Sequence, residues 1–206
     1  YAHECPAEID VPRYVRLIAE GREEEALAVI QEKVPFPAVL GCVCDHPCED
    51  ACRRSELNEA IAARPLKRFV AEYGETGSAN QESASWPSGR KVAVVGSGPA
   101  GLAAAYYLGV SGYQVTLYEA RDVLGGMLRL GIPHYRLPRE ILDREIEAIL
   151  ARSGATAQAG TAVKSLDALF EDGFEAVFLA LGAHRDIPLR IEGEDLPGVM
   201  HCLEFL

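Results

Sequence analysis

The stretch Val92-Ala-Val-Val-Gly96-Ser-Gly98-Pro-Ala-Gly101 decides the fold. A short apolar strand runs directly into G-x-G-x-x-G, and the small-residue helix Leu102-Ala-Ala-Ala-Tyr-Tyr-Leu108 follows. Each glycine has a physical task in that motif. Gly96 permits the tight turn, Gly98 lets backbone approach a pyrophosphate, and Gly101 lets the helix pack close to the sheet. The positive amino end of the helix then faces phosphate, with Ser97 and Ala100 in the same turn. A second strand, Val115-Thr-Leu-Tyr-Glu119, ends in an acid about 20 residues on, as the dinucleotide fingerprint requires. Glu119 is the candidate acceptor for adenosine ribose hydroxyls, and its charge disfavours a 2′-phosphate.

Just downstream, Arg121-Asp-Val-Leu-Gly125-Gly126-Met127 supplies a second glycine pair. It resembles the loop that passes beside the FAD phosphates in the two-dinucleotide-binding flavoprotein class. An NAD domain has no general need for such a loop, so FAD is the expected cofactor. Leu181-Gly182-Ala183-His184 resembles that class's later strand-end turn.

Outward from this core, strand and helix patterns alternate. A strand is expected at Lys91–Val95, a helix at Ala100–Leu108 and a strand at Gln114–Glu119. A helix at Pro138–Arg152 and a strand at Ala176–Leu181 follow, an α/β order. Residues 74–89 read as a small and polar linker with Trp86 as the one large apolar residue. Ahead of it the periodicities are helical. Asp10 can cap a helix carrying Pro12, Tyr14, Leu17 and Ile18, and Gly21 interrupts it. A second helix runs from about Arg22 to Lys33, with Glu23, Glu24 and Glu25 near its positive end. A third follows Pro65 and places Leu66, Phe69, Val70 and Tyr73 along one stripe. The expected architecture is a small all-α iron–sulfur domain, residues 1–73, then an α/β Rossmann-like FAD-binding half-domain, residues 90–206.

Helices this short bury little, and so small a unit commonly needs a staple. The cysteines can supply it. Cys5, Cys42, Cys44, Cys48 and Cys52 crowd the first quarter of the 206 residues, and Cys202 stands alone. With a nucleotide motif following, metal ligation in a reducing, cytoplasmic compartment is expected over disulfides. Thiolates at Cys44-x3-Cys48-x3-Cys52 suit a 4Fe-4S cluster or zinc. Cys5-Pro adds a pairing frequent at cluster ligands. His3 and His46 read as plain polar residues, and Cys202 as a buried small apolar one. Twenty Lys and Arg against 31 Asp and Glu give a net charge of −11, which disfavours nucleic acid. No apolar run approaches the roughly 20 residues of a membrane helix.

Five ordered motifs carry a family resemblance: Cys5-Pro-Ala-Glu-Ile-Asp-Val-Pro12, Leu40-Gly-Cys-Val-Cys-Asp-His-Pro-Cys-Glu-Asp-Ala-Cys52, Ala63-Arg-Pro-Leu-Lys-Arg-Phe69, Gly96-Ser-Gly-Pro-Ala-Gly-Leu102 and Gly125-Gly-Met-Leu-Arg-Leu-Gly-Ile-Pro133. The chain resembles the small chain of glutamate synthase. That group also includes the amino-terminal half of dihydropyrimidine dehydrogenase and NADPH-ferredoxin oxidoreductase subunits. The resemblance implies that NAD(P)H reduces FAD, which passes single electrons through two 4Fe-4S clusters to a partner subunit or domain. It implies Cys5, Cys44 and Cys48 as ligands of one cluster and Cys52 of the other. Gly96, Ser97, Gly98, Ala100, Gly101, Glu119, Gly126 and Met127 become implied FAD contacts, with Leu130, Ile132 and Arg136 near the flavin ring. No residue is implied as acid, base or nucleophile, because the chemistry resides in the cofactors.

The departures also matter. The family has further cysteines ahead of Cys5, one near the place of Tyr1. Lys67 falls near a position where some members ligate through Gln or Glu. Cys42 stands where the family often has Arg, which makes it a candidate fourth ligand. The family's NAD(P)H domain would follow Leu206, so the chain is expected to be a fragment. Two rivals carry different expectations: a zinc-stabilised docking module with a vestigial nucleotide fold, and a flavin-free NAD-linked dehydrogenase.

Overall fold

The computed structural model describes residues 4–74, 88–184 and 187–205. Residues 75–87 of the expected linker, and His3, lie outside the described residues.

The carboxyl-terminal part is built on four parallel strands in the order β3-β2-β1-β4. They are β1 Lys91–Val95, β2 Gln114–Tyr118, β3 Thr156–Gln158 and β4 Ala176–Leu179. Strand β1 is central, pairing with β2 from Lys91 opposite Gln114 and with β4 from Val92 opposite Ala176. Because β2 and β4 flank β1 on opposite sides, the strand order reverses there, which opens a crevice at the carboxyl ends of β1 and β4. Helices α6 (Pro99–Val110) and α8 (Arg139–Ser153) pack on the sheet through Leu102, Ala105, Tyr106, Ile146 and Ile149 against Val94 and Leu117. The elements α7 (Met127–Leu130) and α9 (Leu166–Glu171), like β3, carry too few residues for a visible period.

The amino-terminal part contains α1 Val11–Ala19, α2 Glu23–Gln31, α3 Pro37–Val43, α4 Pro47–Asp50 and α5 Ala63–Tyr73. Asp10 caps α1 as expected, its side chain accepting the Arg13 amide at 3.1 Å. The buried Tyr14 hydroxyl donates to the Ala63 carbonyl at 2.8 Å and ties α1 to α5.

Two expectations are corrected. The inward face of α5 is Ala63, Lys67 and Val70, whereas Phe69 and Tyr73 are 39% and 69% exposed and pack on each other at 5.3 Å. The neighbouring α1, α2 and α3 take the other side of the helix, so its apolar residues do not all face the core. Cys202 is exposed on the short α10 (Cys202–Phe205), not buried, because that segment lies on the surface beyond the sheet.

The two parts share a core. Ala38 and Val39 of α3 are buried in the cluster that holds Leu102, Tyr106 and Ile141 of the nucleotide part. Glu145 of α8 accepts the Ala38 and Val39 amides at 2.7 Å each, satisfying two of the orphan donors at the start of α3. Burial pushes the Glu145 carboxyl up to about 7, against the pull of those two amides.

Candidate functional site

The crevice at the carboxyl ends of the strands is a cavity of about 490 Å³. Gly96, Ser97, Gly98 and Ala100 form one wall, Glu119 and Arg121 a second, and Gly126, Met127 and Leu130 a third. The amino end of the 12-residue α6 opens into it, with Gly98 as the capping residue and Pro99 just inside. A Cβ on Gly98 would meet no protein atom within 4 Å, so packing within the protein does not require glycine there. Close approach by a ligand is the remaining reason for it.

The other two decisive glycines are needed by the protein itself. A Cβ on Gly101 would stand 1.8 Å from the Gly96 carbonyl oxygen, so this contact excludes every larger residue. A Cβ on Gly126 would stand 2.6 Å from the Gly98 Cα, at a φ of +51°. The second glycine loop therefore crosses directly over the first.

A hydrogen-bond chain locks this crossing. The Gly125 amide donates to Ser97 Oγ at 3.1 Å, and Ser97 Oγ donates to Glu119 Oε2 at 2.5 Å. The Ser97 amide donates to the same carboxylate oxygen at 2.9 Å, and the Arg121 amide to Oε1 at 2.9 Å. Burial pushes the Glu119 carboxyl up, but the donors from Ser97, Arg121 and Ala120 outweigh it and hold the group below its ordinary value. Glu119 is thus a buried, ionised acceptor fixed at the end of β2.

Of the sequence-predicted residues, Gly96, Ser97, Gly98, Ala100, Glu119, Gly126 and Met127 line the cavity. Gly101 and Gly125 stand behind it as supports, and Ile132 packs against the core. Arg136 lies outside the lining, its amide closing a turn to the Pro133 carbonyl. Thr161 lines the cavity and was not singled out; it follows the three-residue β3, whose brevity leaves no periodic signal.

A second site lies in the helical part. Cys5, Cys44 and Cys48 line one small cavity with His46, Arg64 and Lys67. The backbone brings them together in steps. Cys44 ends α3, His46 turns the chain at a φ of +50°, and Cys48 sits in α4. The His46 amide donates to Cys44 Sγ at 3.3 Å. Burial raises the Cys48 thiol first, the charges of Cys5 and Cys44 raise it further, and Lys67 pulls it down. Cys52 is buried elsewhere, its sulfur accepting the Ile61 amide at 3.5 Å. Cys42 lies outside the cavity, in the surroundings of Arg68, Glu72 and Glu145. The structure therefore brings three of the five candidate ligands together.

The donor set suits a thiolate-bound iron–sulfur core. Three thiols share the cavity, and its wall carries two nitrogen-bearing side chains: His46, whose Nδ1 is buried without a hydrogen-bond partner among the described residues, and Lys67. No group of three or more His, Cys, Asp or Glu is arranged to hold a single metal ion among the described residues.

Comparison with known proteins finds a match for each of the two parts. Residues 1–78 match the family described as dihydropyrimidine dehydrogenase domain II, 4Fe-4S cluster. Residues 94–154 match the NAD(P)-binding Rossmann-like domain. The chain is 44% identical to the beta subunit of an NADP(+)-dependent formate dehydrogenase from Moorella thermoacetica, over 95% of this chain and 32% of that one. It is 44% identical to the beta subunit of an NADPH-Fe(3+) oxidoreductase from Geobacter sulfurreducens, over 93% and 29%. The small chain of NADPH glutamate synthase from Bacillus subtilis is 35% identical, over 98% and 41%. The chain thus spans less than half the length of these relatives. Among solved structures, Mycobacterium tuberculosis FprA in complex with NADPH superposes with a TM-score of 0.52 at 26% identity, over 57% of this chain and 28% of that one. This chain joins an iron–sulfur domain of the dihydropyrimidine dehydrogenase type to a Rossmann-like dinucleotide domain, and it is a homologue of the glutamate synthase small chain and NADPH-dependent oxidoreductase subunits.

Proposed function

We propose that this chain is the cofactor-binding portion of an NAD(P)H-dependent flavin and iron–sulfur oxidoreductase that delivers electrons to a partner subunit. The observation that carries the reading is the coexistence of a prelocked dinucleotide cradle and a three-thiol cavity in two parts joined through α3. In this reading residues 1–73 form the cluster domain, 74–89 the linker and 90–206 the flavin domain.

Gly96, Ser97, Gly98, Ala100 and the start of α6 would hold the FAD pyrophosphate, with Gly126 and Met127 closing over it. Glu119 would accept the ribose hydroxyls through the lone pairs that Ser97 and Arg121 leave unused. Cys5, Cys44 and Cys48 would hold a 4Fe-4S cluster. When bound, FAD links two-electron exchange with NAD(P)H to the one-electron chemistry of iron–sulfur clusters. The protein's own contribution is placement: α3 ends at Cys44 and is fixed at its other end by Glu145 of the nucleotide part. That fastening holds the two sites in one frame. The subunit names of the relatives support a protein partner. A cytoplasmic setting would keep the thiols reduced, and no helix among the described residues is long and apolar enough to cross a membrane.

Zinc is disfavoured, since a structural zinc ion asks for about four ligands at roughly 2.3 Å from sulfur, and no such group occurs among the described residues. The test is the ultraviolet-visible spectrum of the intact parent, purified anaerobically, with its iron, sulfide, zinc and released flavin measured. FAD with iron and sulfide is the expected result. Zinc without flavin would overturn the proposal.

A further inference from the structure

Lys67 occupies a place where the fold calls for an apolar side chain. It lies on the inward face of α5 between Ala63 and Val70, both in the core, and is only 6% exposed. Lysine is seldom buried to this degree without a partner. Yet among the described residues Lys67 has no hydrogen bond and no ion pair with a carboxylate. Glu49, in the same shell, is engaged with the Arg64 amide at 2.6 Å and lies 3.8 Å from His46. Arg64 itself donates to the Cys44 carbonyl at the cavity rim. The groups left to balance the ammonium are the thiols, and its charge acts on Cys48.

A cation held in a cavity wall with no carboxylate partner is unfavourable, so an arrangement of this kind gains when negative charge enters beside it. Three neutral thiols do not meet that need, whereas thiolates around a metal–sulfide core do. A protonated lysine has three donors and no acceptor, so it adds charge without ligating.

We propose that Lys67 is the buried counter-charge of an anionic iron–sulfur core held by Cys5, Cys44 and Cys48, a positioning residue that favours the reduced core without binding iron. This rests on the cluster reading above. Adding one electron makes the core more negative by one unit, and a fixed positive charge in the wall of the same cavity stabilises that state. The cavity is then matched to a three-thiolate core with a cation in the remaining wall.

The test uses the intact parent with its cofactors, purified anaerobically as wild type and as Lys67→Met, Lys67→Arg and Cys48→Ser. Iron and sulfide are counted, and midpoint potentials are read by EPR-monitored redox titration. The signal lost in Cys48→Ser identifies the cluster in question. In Lys67→Met that signal should move to a lower potential by at least tenfold in the reduction equilibrium, 59 mV for one electron. Lys67→Arg should restore most of the shift. Loss of the cluster in Lys67→Met with retention in Lys67→Arg would equally support a required charge. An unchanged or raised midpoint in Lys67→Met, or loss of iron in both variants, would overturn the proposal. Absence of iron and sulfide from the wild-type parent would overturn the cluster reading itself, a result none of the other outcomes resembles.

Discussion

Glu119 and Lys67 are both buried charges, 9% and 6% exposed, and the protein treats them in opposite ways. Glu119 is held by the Ser97 amide and hydroxyl and by the Arg121 amide, all within 2.9 Å. Lys67 faces three thiols and, among the described residues, no carboxylate. The nucleotide cradle is therefore electrostatically complete before any ligand arrives, whereas the cysteine cavity is not. The first charge is satisfied within the fold, and by the proposal above the second is balanced by an incoming anionic core.

The largest expected effect breaks the cradle. In Gly101→Val the new Cβ would meet the Gly96 carbonyl at 1.8 Å, a contact that only backbone displacement can relieve. We expect destabilisation of about 4 kcal/mol, at the severe end for overpacking. Flavin should be lost while iron and sulfide are retained, since the cysteines lie in the other part. Flavin retained at wild-type stoichiometry would show that the glycine crossing is not what forms the site.

A second prediction concerns the joint between the two regions. Glu145 has its carboxyl raised from 4.5 to about 7 by burial. For a raised carboxyl, the stability contribution is full below the unfolded value and declines as pH rises through the folded one. Between about pH 4.5 and 7 the parent should lose roughly 3 kcal/mol from this group, by the 1.36 kcal/mol per unit that linkage assigns. Urea midpoints measured across that range should slope downward in the wild type and flatten in Glu145→Gln. Arg144, Arg152, Glu72 and Gln31 line the same interface, and the first two would moderate the slope by favouring the ionised form.

Much of the nucleotide part was legible in the sequence because its signals are local. The strand, the glycine spacing, Pro99 and the acid at Glu119 all fall within 28 residues of Val92, and each acts on near neighbours. Cys44 and Cys48 likewise stand together in the sequence, whereas Cys5, far ahead of them, reaches their cavity only through the fold. The joint was not legible. Ala38 and Val39 meet Glu145 across 107 and 106 residues, and nothing in a short window marks that pairing. The stripe of α5 misled because Leu66, Phe69 and Tyr73 carry the helical period, while Lys67, a charged residue, faces inward. A periodicity argument assumes that charge is exposed, and that assumption fails at Lys67, which is 6% exposed. Cys202 misled more simply, since cysteine is usually buried and this one lies on the surface.

The contrast between the two charges can be sharpened by stripping the metal. Replacing a buried ion pair or triad with apolar residues of similar volume is often neutral or stabilising by about 1–4 kcal/mol, and a buried charge left without its partner is strongly destabilising. In anaerobically chelated parent, Lys67→Met should therefore be more stable than wild type by about 2 kcal/mol. In the cluster-loaded parent that gain should vanish or reverse. The check is paired urea denaturation of both proteins in both states. A Lys67→Met effect that does not depend on the metal would place the lysine's partner elsewhere and remove the asymmetry.

The smallest effect is expected from Ser97→Ala, and the reason lies in how fully the cradle is satisfied. The substitution removes the hydroxyl that donates to Glu119 and accepts from the Gly125 amide. No group is orphaned as a result. Glu119 Oε2 keeps the Ser97 amide, and the Gly125 amide keeps the Ser97 carbonyl at 3.2 Å. The cost should then sit near the net value of one hydrogen bond, about 1 kcal/mol, instead of the larger penalty of an unsatisfied buried group. The same change should raise the Glu119 carboxyl, whose lowered value owes most to the Ser97 hydroxyl. For a lowered carboxyl the contribution to stability is present above the unfolded value and disappears as pH falls through the folded one. Carbon NMR titration of the Glu119 carboxyl, alongside acid unfolding of the variant, reads both consequences. A loss several times larger than one hydrogen bond would mean that the crossing of the two glycine loops depends on Ser97, and that the cradle is less complete by itself than its geometry indicates.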